Sequence, residues 1–257
     1  MSDVKILPAA TILLLRDDPF EVLMVRRHHQ IDFASGALVF PGGKTHTGDQ
    51  DPAWEAHVEG WSGVDPVKRE LRIAAIREAY EESGILLAHY SDGRQFTGDD
   101  RAAEARDAIS RNERSFLDLV RELDIKLDLS ALSVFSRWVT PAMMAKRFDT
   151  WFYLAAAPKD QLASSDGWET VDAEWIAPSE AIRLGAAGER TIIFPTRMNL
   201  QMLAEASSTE DAIVRAQARQ IVTVEPKVEV RNGERVLVLP KDAGYGDVTE
   251  SLSAVSR

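Results

Sequence analysis

The residues F-P-G-G at positions 40–43 and R-E-A-Y-E-E-S-G-I at positions 77–85 are the most informative part of this chain. In a helix, Glu78, Glu81 and Glu82 stand at i, i+3 and i+4, so the three carboxylates share one face. Only the arginine that opens this stretch is placed to compensate their charge. Like charges at this spacing destabilise an isolated helix by about 0.2–0.5 kcal/mol per pair. A hard divalent cation such as Mg²⁺ or Mn²⁺ would make the same arrangement favourable.

The glycines around this helix decide between two interpretations of its acidic residues. An exposed acidic helix end is the simpler one, because Glu is common on exposed helices. Gly42 and Gly43 instead give a sharp turn at a strand end, where bare backbone can approach a ligand. Gly84 can end the helix with a left-handed cap directly after the acids. The combination favours a binding site over a solvated helix.

Strand and helix signals alternate irregularly along the chain, so the predicted fold class is α+β. β-branched and aromatic runs predict strands at 10–16, 21–27, 37–40, 132–139, 148–157 and 168–176, and a hairpin that turns at Asn232-Gly233 within 221–239. Apolar spacing and capping residues predict helices at 66–83, 99–124 and 196–220, and a short one that opens at Pro178. The stretch 44–65, rich in glycine and acids, is predicted to be an inserted loop with one short helical turn.

The composition of the chain excludes several classes of protein. Its 257 residues suffice for a large buried core. Thirty Lys and Arg against 41 Asp and Glu give a net charge of −11, which argues against nucleic-acid and anionic-membrane binding. The absence of cysteine excludes disulfides, thiolate zinc sites and thiol nucleophiles. With no secretory signal and no membrane-length apolar run, the sequence predicts a soluble, cytoplasmic protein.

The sequence R-E-x-x-E-E-x-G-I, with P-G-G upstream, resembles the Nudix box, a loop–helix–loop that holds divalent cations against a diphosphate. The family pattern is G-x5-E-x7-R-E-U-x-E-E-x-G-U, where U is bulky and aliphatic. Gly43 matches its first glycine and 77–85 match its second half, with the small Ala79 at the first U. Extra residues lie between the two halves. Asp49 and Glu70 are therefore both candidates for the first acid of the pattern.

A split box of this kind is similar to one branch of the family, which contains the animal peroxisomal coenzyme A diphosphatase and bacterial relatives. The likeness includes I-L-L-L-R at 12–16, W-x-T-P at 138–141 and R-F-D-T-x-F-Y at 147–153. It implies a Nudix-type α/β/α sandwich with a mixed sheet. The whole chain, 1–257, is then one domain. It has a core at about 8–195, an insertion at about 44–65 and a C-terminal extension at 196–257, through which a homodimer could form.

By this resemblance, the chain is a Nudix diphosphatase that uses Mg²⁺ or Mn²⁺. The metal ligands are Glu78, Glu81, Glu82 and the Gly42 carbonyl. Arg77 orients a glutamate of the catalytic helix. The general base is either a helix glutamate, Glu81 or Glu82, or an acid on a loop outside the box. Glu169 is the candidate loop acid, and a solvent-facing loop glutamate is the alternative.

The candidate substrate-binding residues are Arg27, Gly43 and Arg147. Arg27 follows a strand and could pair with phosphate oxygens. Gly43 offers bare backbone, and Arg147 could join Trp138, Phe148 and Trp151 in a base-stacking wall. Exposed strand ends and core tryptophans are the competing interpretations.

The resemblance implies a nucleotide-type diphosphate substrate, with coenzyme A or acyl-coenzyme A leading. Hydrolysis of ADP-ribose, NADH or a dinucleoside polyphosphate, and a non-catalytic ligand sensor, are the rivals. The insertion is expected to shape substrate choice rather than to build the metal site.

Overall fold

The computed structural model describes residues 4–28, 35–167 and 169–252. Its strands are β1 (Ile6–Arg16), β2 (Glu21–Arg27), β3 (Leu38–Val39), β4 (Gly42–Lys44), β5 (Val58–Glu59), β6 (Ala88–Tyr90), β7 (Ile125–Asp128), β8 (Ser133–Val139), β9 (Arg147–Ala156), β10 (Thr170–Ile176), β11 (Thr223–Val224), β12 (Lys227–Arg231), β13 (Glu234–Val238) and β14 (Thr249–Ser251). Its α-helices are α1 (Pro66–Ser83), α2 (Asp100–Ser110), α3 (Phe116–Glu122), α4 (Pro178–Ala186), α5 (Phe194–Leu203) and α6 (Thr209–Ala218). No described helix has both the length and the apolarity needed to cross a membrane.

The main sheet is mixed and has the order β10-β2-β1-β9-β8-β11, with β3 and β4 attached to β2 and β1. β1 is its central strand: it pairs in parallel with β9 over ten positions and antiparallel with β2 and β4. Ile12 and Leu14 pack on one face, whereas Leu13 and Leu15 pack on the other. A strand buried on both faces needs a continuous apolar run, and β1 has one.

Helices cover both faces of this sheet. One core contains Ile76 and Tyr80 of α1 together with residues of α2 and α3. The other contains Ala181 of α4, Leu200 of α5 and Ala212 of α6. The result is the α/β/α sandwich that the Nudix resemblance implies. Two small sheets, β5-β7-β6 and β12-β13-β14, lie outside this main sheet.

The helix predicted at 66–83 is confirmed as α1, and both of its ends carry the expected capping residues. The Asp65 side chain accepts a hydrogen bond from the Val67 backbone N–H, and Pro66 occupies the first turn. Gly84 caps the other end at φ 76°, a conformation that costs glycine little. The predicted strand at 168–176 is observed as β10, and residue 168 itself lies outside the described residues.

Two predicted long helices are wrong, since each is a pair of helices. The stretch 99–124 breaks at Asn112, which has φ 56°, and Ser115 caps α3. The stretch 196–220 breaks after α5, and Ser208 caps α6. In both cases a Ser side chain binds a backbone N–H and starts a new helix, which apolar spacing alone does not reveal. The hairpin at Asn232-Gly233 is confirmed, and β14 adds a third strand to it.

The inserted stretch after β4 has more structure than predicted. It forms short 3₁₀ helices at Thr47–Gln50, Pro52–Ala56 and Trp61–Gly63, and β5 joins the β5-β7-β6 sheet. Trp54 is buried in the α1-side core and packs against Phe116 with tilted rings. The insertion is therefore packed against the domain by its own apolar side chains.

Candidate metal centre

The acidic face of α1 is buried. Glu78, Glu81 and Glu82 are 6%, 7% and 2% exposed. An exposed acidic helix end is therefore the wrong interpretation of these residues. Because burying a carboxylate without a compensating charge is costly, the groups around this face determine what it can do.

Arg77 is the buried cation at the centre of these acids. Its Nη1 donates to Glu78 Oε1 at 2.8 Å and to Glu81 Oε1 at 3.1 Å. Its Nε and Nη2 donate to the two oxygens of Asp49 at 2.9 and 3.0 Å, and Nη2 also donates to the Lys44 carbonyl. These neighbours outweigh the effect of burial and raise the pKa of Arg77. The guanidinium therefore holds two box glutamates in fixed positions.

The same contacts decide which residue is the first acid of the box. Asp49 is buried and forms a bidentate pair with Arg77, and it also accepts the His46 backbone N–H. No described contact joins Glu70 to Arg77, and Glu70 is partly exposed. These contacts favour Asp49, at the position counted forward from Gly43, as the stand-in. The extra residues follow Asp49 rather than Gly43.

The expected role of the insertion must be corrected accordingly. Residues 44–65 are predicted to shape substrate choice rather than to build the metal site, with both ends beside the diphosphate, yet Thr47–Gln50 brings the Asp49 carboxylate to Arg77. The prediction is wrong for this first part. Only the portion after Asp49 can be extra to the box.

The glycine turn approaches the acids as closely as backbone allows. The Gly42 N–H donates to Glu82 Oε2 at 3.0 Å. A Cβ atom on Gly43 would lie 2.5 Å from Glu78 Oε1, and one on Gly42 would lie 2.6 Å from the Ala10 carbonyl oxygen. Any side chain at these two positions would displace a carboxylate or the central strand. The turn must therefore be glycine for the three acids to converge on it.

The buried carboxylates on this face of α1 favour the binding of a cation. Burial raises the pKa of Glu78 to about 7, although Arg77 opposes it. Burial and the charge of Glu78 raise the pKa of Glu82, and burial also raises that of Glu81. A converging set of buried hard oxygen donors with one full counter-charge fits a divalent ion such as Mg²⁺ or Mn²⁺.

Glu169 and Arg27 lie at the edge of the same site. The Glu169 charge contributes to the raised pKa of all three box glutamates, so it is within their electrostatic range. Its carbonyl accepts the His28 N–H at 2.8 Å. Arg27 lowers the pKa of Glu82, and its buried Nε has no hydrogen-bond partner in the described structure. Sequence reasoning thus selected two residues that the fold brings to the box.

Arg147 and the tryptophans are placed differently. Arg147 donates to Glu225 Oε1 at 2.6 Å and to the Thr140 carbonyl, and its substrate role stays a prediction. Trp138 packs against Phe194 and Tyr245 in the core on the opposite face of the sheet. Its predicted place in a base-stacking wall is therefore wrong.

A second group of donor atoms lies outside the box. Single donor atoms of Glu59, His89 and Asp128 lie within 4.8 Å of one another on the β5-β7-β6 sheet. All three side chains are partly exposed. They share no residue with α1 or the glycine turn, so this group is not part of the box site.

No motif in the sequence points to Arg106, which the structure brings to the box. It is buried on α2 and donates from Nε to the Glu81 carbonyl at 2.8 Å. The sequence feature that could have identified Arg106 is a single charged residue on an otherwise apolar helix face. That face also carries Ala102, Ala105 and Ile109, which are buried. Arginines at such positions need acceptors inside the protein.

Comparisons with known proteins agree with this geometry. A family model described as the NUDT19 Nudix domain matches residues 59–203, more than half of the chain. The chain belongs to this Nudix family. The match includes the helix with Arg77 and the three glutamates, whereas Gly42, Gly43 and Asp49 precede it.

Individual relatives are similar at modest identity. The acyl-coenzyme A diphosphatase NUDT19 of Xenopus laevis is 26% identical over 205 residues, 63% of this chain and 54% of that protein. The human acyl-coenzyme A diphosphatase NUDT19 is 27% identical over 234 residues, 75% of this chain and 62% of that protein. The chain thus spans less than two thirds of these relatives. The crystal structure of a Nudix hydrolase from Alicyclobacillus acidocaldarius superposes with a TM-score of 0.72 at 26% identity, covering 82% of this chain and 96% of that one.

Replacing Asp49 with asparagine tests whether this acid completes the box. We expect kcat to fall by about 10- to 100-fold, because a residue that orients metal ligands typically has effects of this size. Breaking the buried pair with Arg77 should also cost about 3–5 kcal/mol in the free energy of unfolding. Steady-state kinetics and urea denaturation measure both. Glu70→Gln is the matched control and should change neither, and equal effects of the two substitutions would remove Asp49 from the site.

Proposed function

We propose that this chain is a metal-dependent hydrolase that cleaves the diphosphate bond of a nucleoside diphosphate linked to another moiety. The observation that supports this most strongly is the burial of Glu78, Glu81 and Glu82 against a bare glycine turn. A fold does not accept three neighbouring buried carboxylates without a function for them, because each one disfavours folding when it is charged. Their position on the Nudix box suggests that function.

The proposed cation ligands are the three box glutamates and the Gly42 carbonyl. When bound, Mg²⁺ or Mn²⁺ neutralises diphosphate oxygens and lowers the pKa of the attacking water. Arg77 holds Glu78 and Glu81 at 2.8 and 3.1 Å, so these carboxylates need no reorganisation to bind. Among the described residues, Arg27 Nε has no hydrogen-bond partner, and the charge of Arg27 lowers the pKa of Glu82, so this Nε–H is suited to a phosphate oxygen.

A carboxylate must take the proton of the water that attacks phosphorus, while the bond from phosphorus to the bridging oxygen breaks. We propose Glu169 for this role. It lies beside the box glutamates, yet it is on a loop and no described contact ties its carboxylate to Arg77. A box glutamate that binds the cation is less available to accept a proton. Glu81 and Glu82 are the alternatives.

The proposed substrate is coenzyme A or an acyl-coenzyme A, cleaved to a phosphopantetheine part and adenosine 3′,5′-bisphosphate. The support is the names of the relatives, which are acyl-coenzyme A diphosphatases. Hydrolysis of ADP-ribose, NADH or a dinucleoside polyphosphate is the alternative. A homodimer and a cytoplasmic location remain predictions from the sequence.

A substrate panel tests this proposal. We expect kcat/KM for coenzyme A or an acyl-coenzyme A to exceed that for ADP-ribose, NADH and diadenosine polyphosphate by about tenfold or more, a difference of about 1.4 kcal/mol in transition-state binding. Mass spectrometry identifies the products, and reaction in ¹⁸O-water shows which phosphorus is attacked. Glu82→Gln protein prepared in parallel controls for contaminating phosphatases. Preference for another compound would replace the coenzyme A assignment, and turnover of none would favour a ligand sensor.

A further inference from the structure

The segment between β9 and β10, which carries Glu169, docks on the C-terminal end of α1. The last carbonyls of a helix lack partners within the helix and need donors from elsewhere. The Ser164 N–H donates to the Ser83 carbonyl at 2.9 Å, and the Thr170 hydroxyl donates to the Glu82 carbonyl at 3.3 Å. Gln161 binds the Leu86 N–H and carbonyl beyond the helix end. The segment thus follows the end of the helix that presents the box glutamates.

Arg106 joins this segment to the helix. Its Nε donates to the Glu81 carbonyl at 2.8 Å, while Nη1 and Nη2 donate to the Ser164 hydroxyl and carbonyl at 3.0 and 2.8 Å. A Cβ atom on Gly84 would lie 3.3 Å from Nη1, so the guanidinium packs against the bare helix cap. One side chain therefore contacts the backbone of a box glutamate and the segment that leads to Glu169.

Glu169 is fixed from the other side as well. Asp166 accepts hydrogen bonds from the N–H groups of Glu169 and Thr170 at 3.3 and 2.8 Å. The Glu169 carbonyl accepts the His28 N–H at the end of β2. The backbone N–H and carbonyl of Glu169 are consequently held, and Arg106 links Ser164 of the same segment to the Glu81 carbonyl on α1.

We propose that Arg106 is a positioning residue, which places the Glu169 carboxylate relative to Glu78, Glu81 and Glu82. This inference rests on the proposed role of Glu169 as the base. Helix α2, which follows the box in the chain, then takes part in the reaction through Arg106. Neighbours on the same face of α2 are apolar (Ala102, Ala105 and Ile109), so packing alone does not require an arginine here.

A double-mutant cycle between Arg106 and Glu169 separates positioning from general support of the fold. We expect Arg106→Gln to lower kcat by about 10- to 100-fold, part of the 10²- to 10⁴-fold that a general base contributes, and to change KM by less than about threefold. In a Glu169→Gln background the same substitution should change kcat by less than about twofold. Arg106→Lys keeps the positive charge and should recover part of the lost kcat. It replaces Arg106→Gln in the cycle if the glutamine variant does not fold. Arg111→Gln is the control, because Arg111 lies at the exposed end of α2 and, within the described part of the chain, its side chain pairs with Asp107.

Hydrogen–deuterium exchange gives a readout that needs no substrate. The amides of Ser164 and Thr170 should exchange faster in Arg106→Gln than in wild type or Arg111→Gln, because their segment loses the Arg106 side chain that joins Ser164 to the Glu81 carbonyl. Unchanged exchange, or an equal loss of kcat in both Glu169 backgrounds, would overturn the inference. Full kcat in Glu169→Gln alone would overturn it too, while leaving the hydrolase intact. If wild type hydrolyses no diphosphate, the proposed function fails, and exchange still decides whether Arg106 docks the segment.

Discussion

Replacing Glu82 with glutamine is expected to lower kcat by about 10³-fold or more, about 4 kcal/mol in transition-state stabilisation, without destabilising the fold. The amide keeps the shape of the side chain, and its oxygen can still accept the Gly42 N–H that Glu82 binds at 3.0 Å. What it loses is a negative charge directed at the cation. Because the cation acts on the reacting diphosphate, losing the Glu82 charge should lower kcat more than it changes KM.

The stability of this variant is the sharper part of the prediction. Burial raises the pKa of Glu82 well above its ordinary value. A carboxyl group whose folded-state pKa is raised stabilises the fold only when protonated, and that contribution is lost as the pH rises through the folded-state pKa. At pH 8 without metal, Glu82→Gln should therefore unfold at a temperature equal to or higher than that of the wild type.

Calorimetry and steady-state kinetics on the same preparations test both parts. Glu180→Gln is a suitable control, because Glu180 lies at the exposed start of α4 and pairs with Arg183. It should change neither kcat nor the unfolding temperature appreciably. Near-wild-type turnover of Glu82→Gln at saturating Mg²⁺ would contradict the assignment of Glu82 as a ligand.

Local sequence rules predicted α1 because its ends depend on neighbours in the chain. The Asp65 cap, Pro66 and Gly84 all act within one turn of the helix ends. Placement of the three glutamates on one face follows from helix geometry alone. Burial of that face does not, because the glycine turn and the Asp49 segment that cover it are distant in sequence.

The identity of the first acid shows why spacing was insufficient. In the family pattern, counting forward from Gly43 reaches Asp49, whereas counting back from Arg77 reaches Arg69, because an insertion shifts one of the two counts. The pairing of Asp49 with Arg77 resolves this, and it depends on 3₁₀ turns that place Asp49 beside a residue 28 positions away. Contacts of this range are set by tertiary packing.

Removal of divalent cations is expected to abolish activity, because no cation then lies between the box carboxylates and the negatively charged diphosphate. Excess chelator should leave no measurable turnover, and Mg²⁺ or Mn²⁺ should restore it. Ca²⁺ should support little, because it prefers more ligands at 2.3–2.6 Å than the roughly 2.0–2.1 Å octahedral geometry of Mg²⁺. Full turnover in excess chelator would contradict the role of the three glutamates.

The buried carboxylates also make the requirement for a divalent cation depend on pH. Burial raises the pKa of Glu78 to about 7, so protons compete with the cation for this carboxylate near neutral pH. Below pH 7 the protonated form predominates, and the Mg²⁺ concentration for half-maximal rate should rise steeply. Above pH 7 it should level off, because the carboxylate is already ionised. Titrating Mg²⁺ at several pH values between 6 and 8.5 measures the shift. The buried Glu78 predicts a bend near pH 7, whereas a flat requirement over this range would indicate carboxylates as accessible as those of an exposed helix, whose pKa is about 4.3.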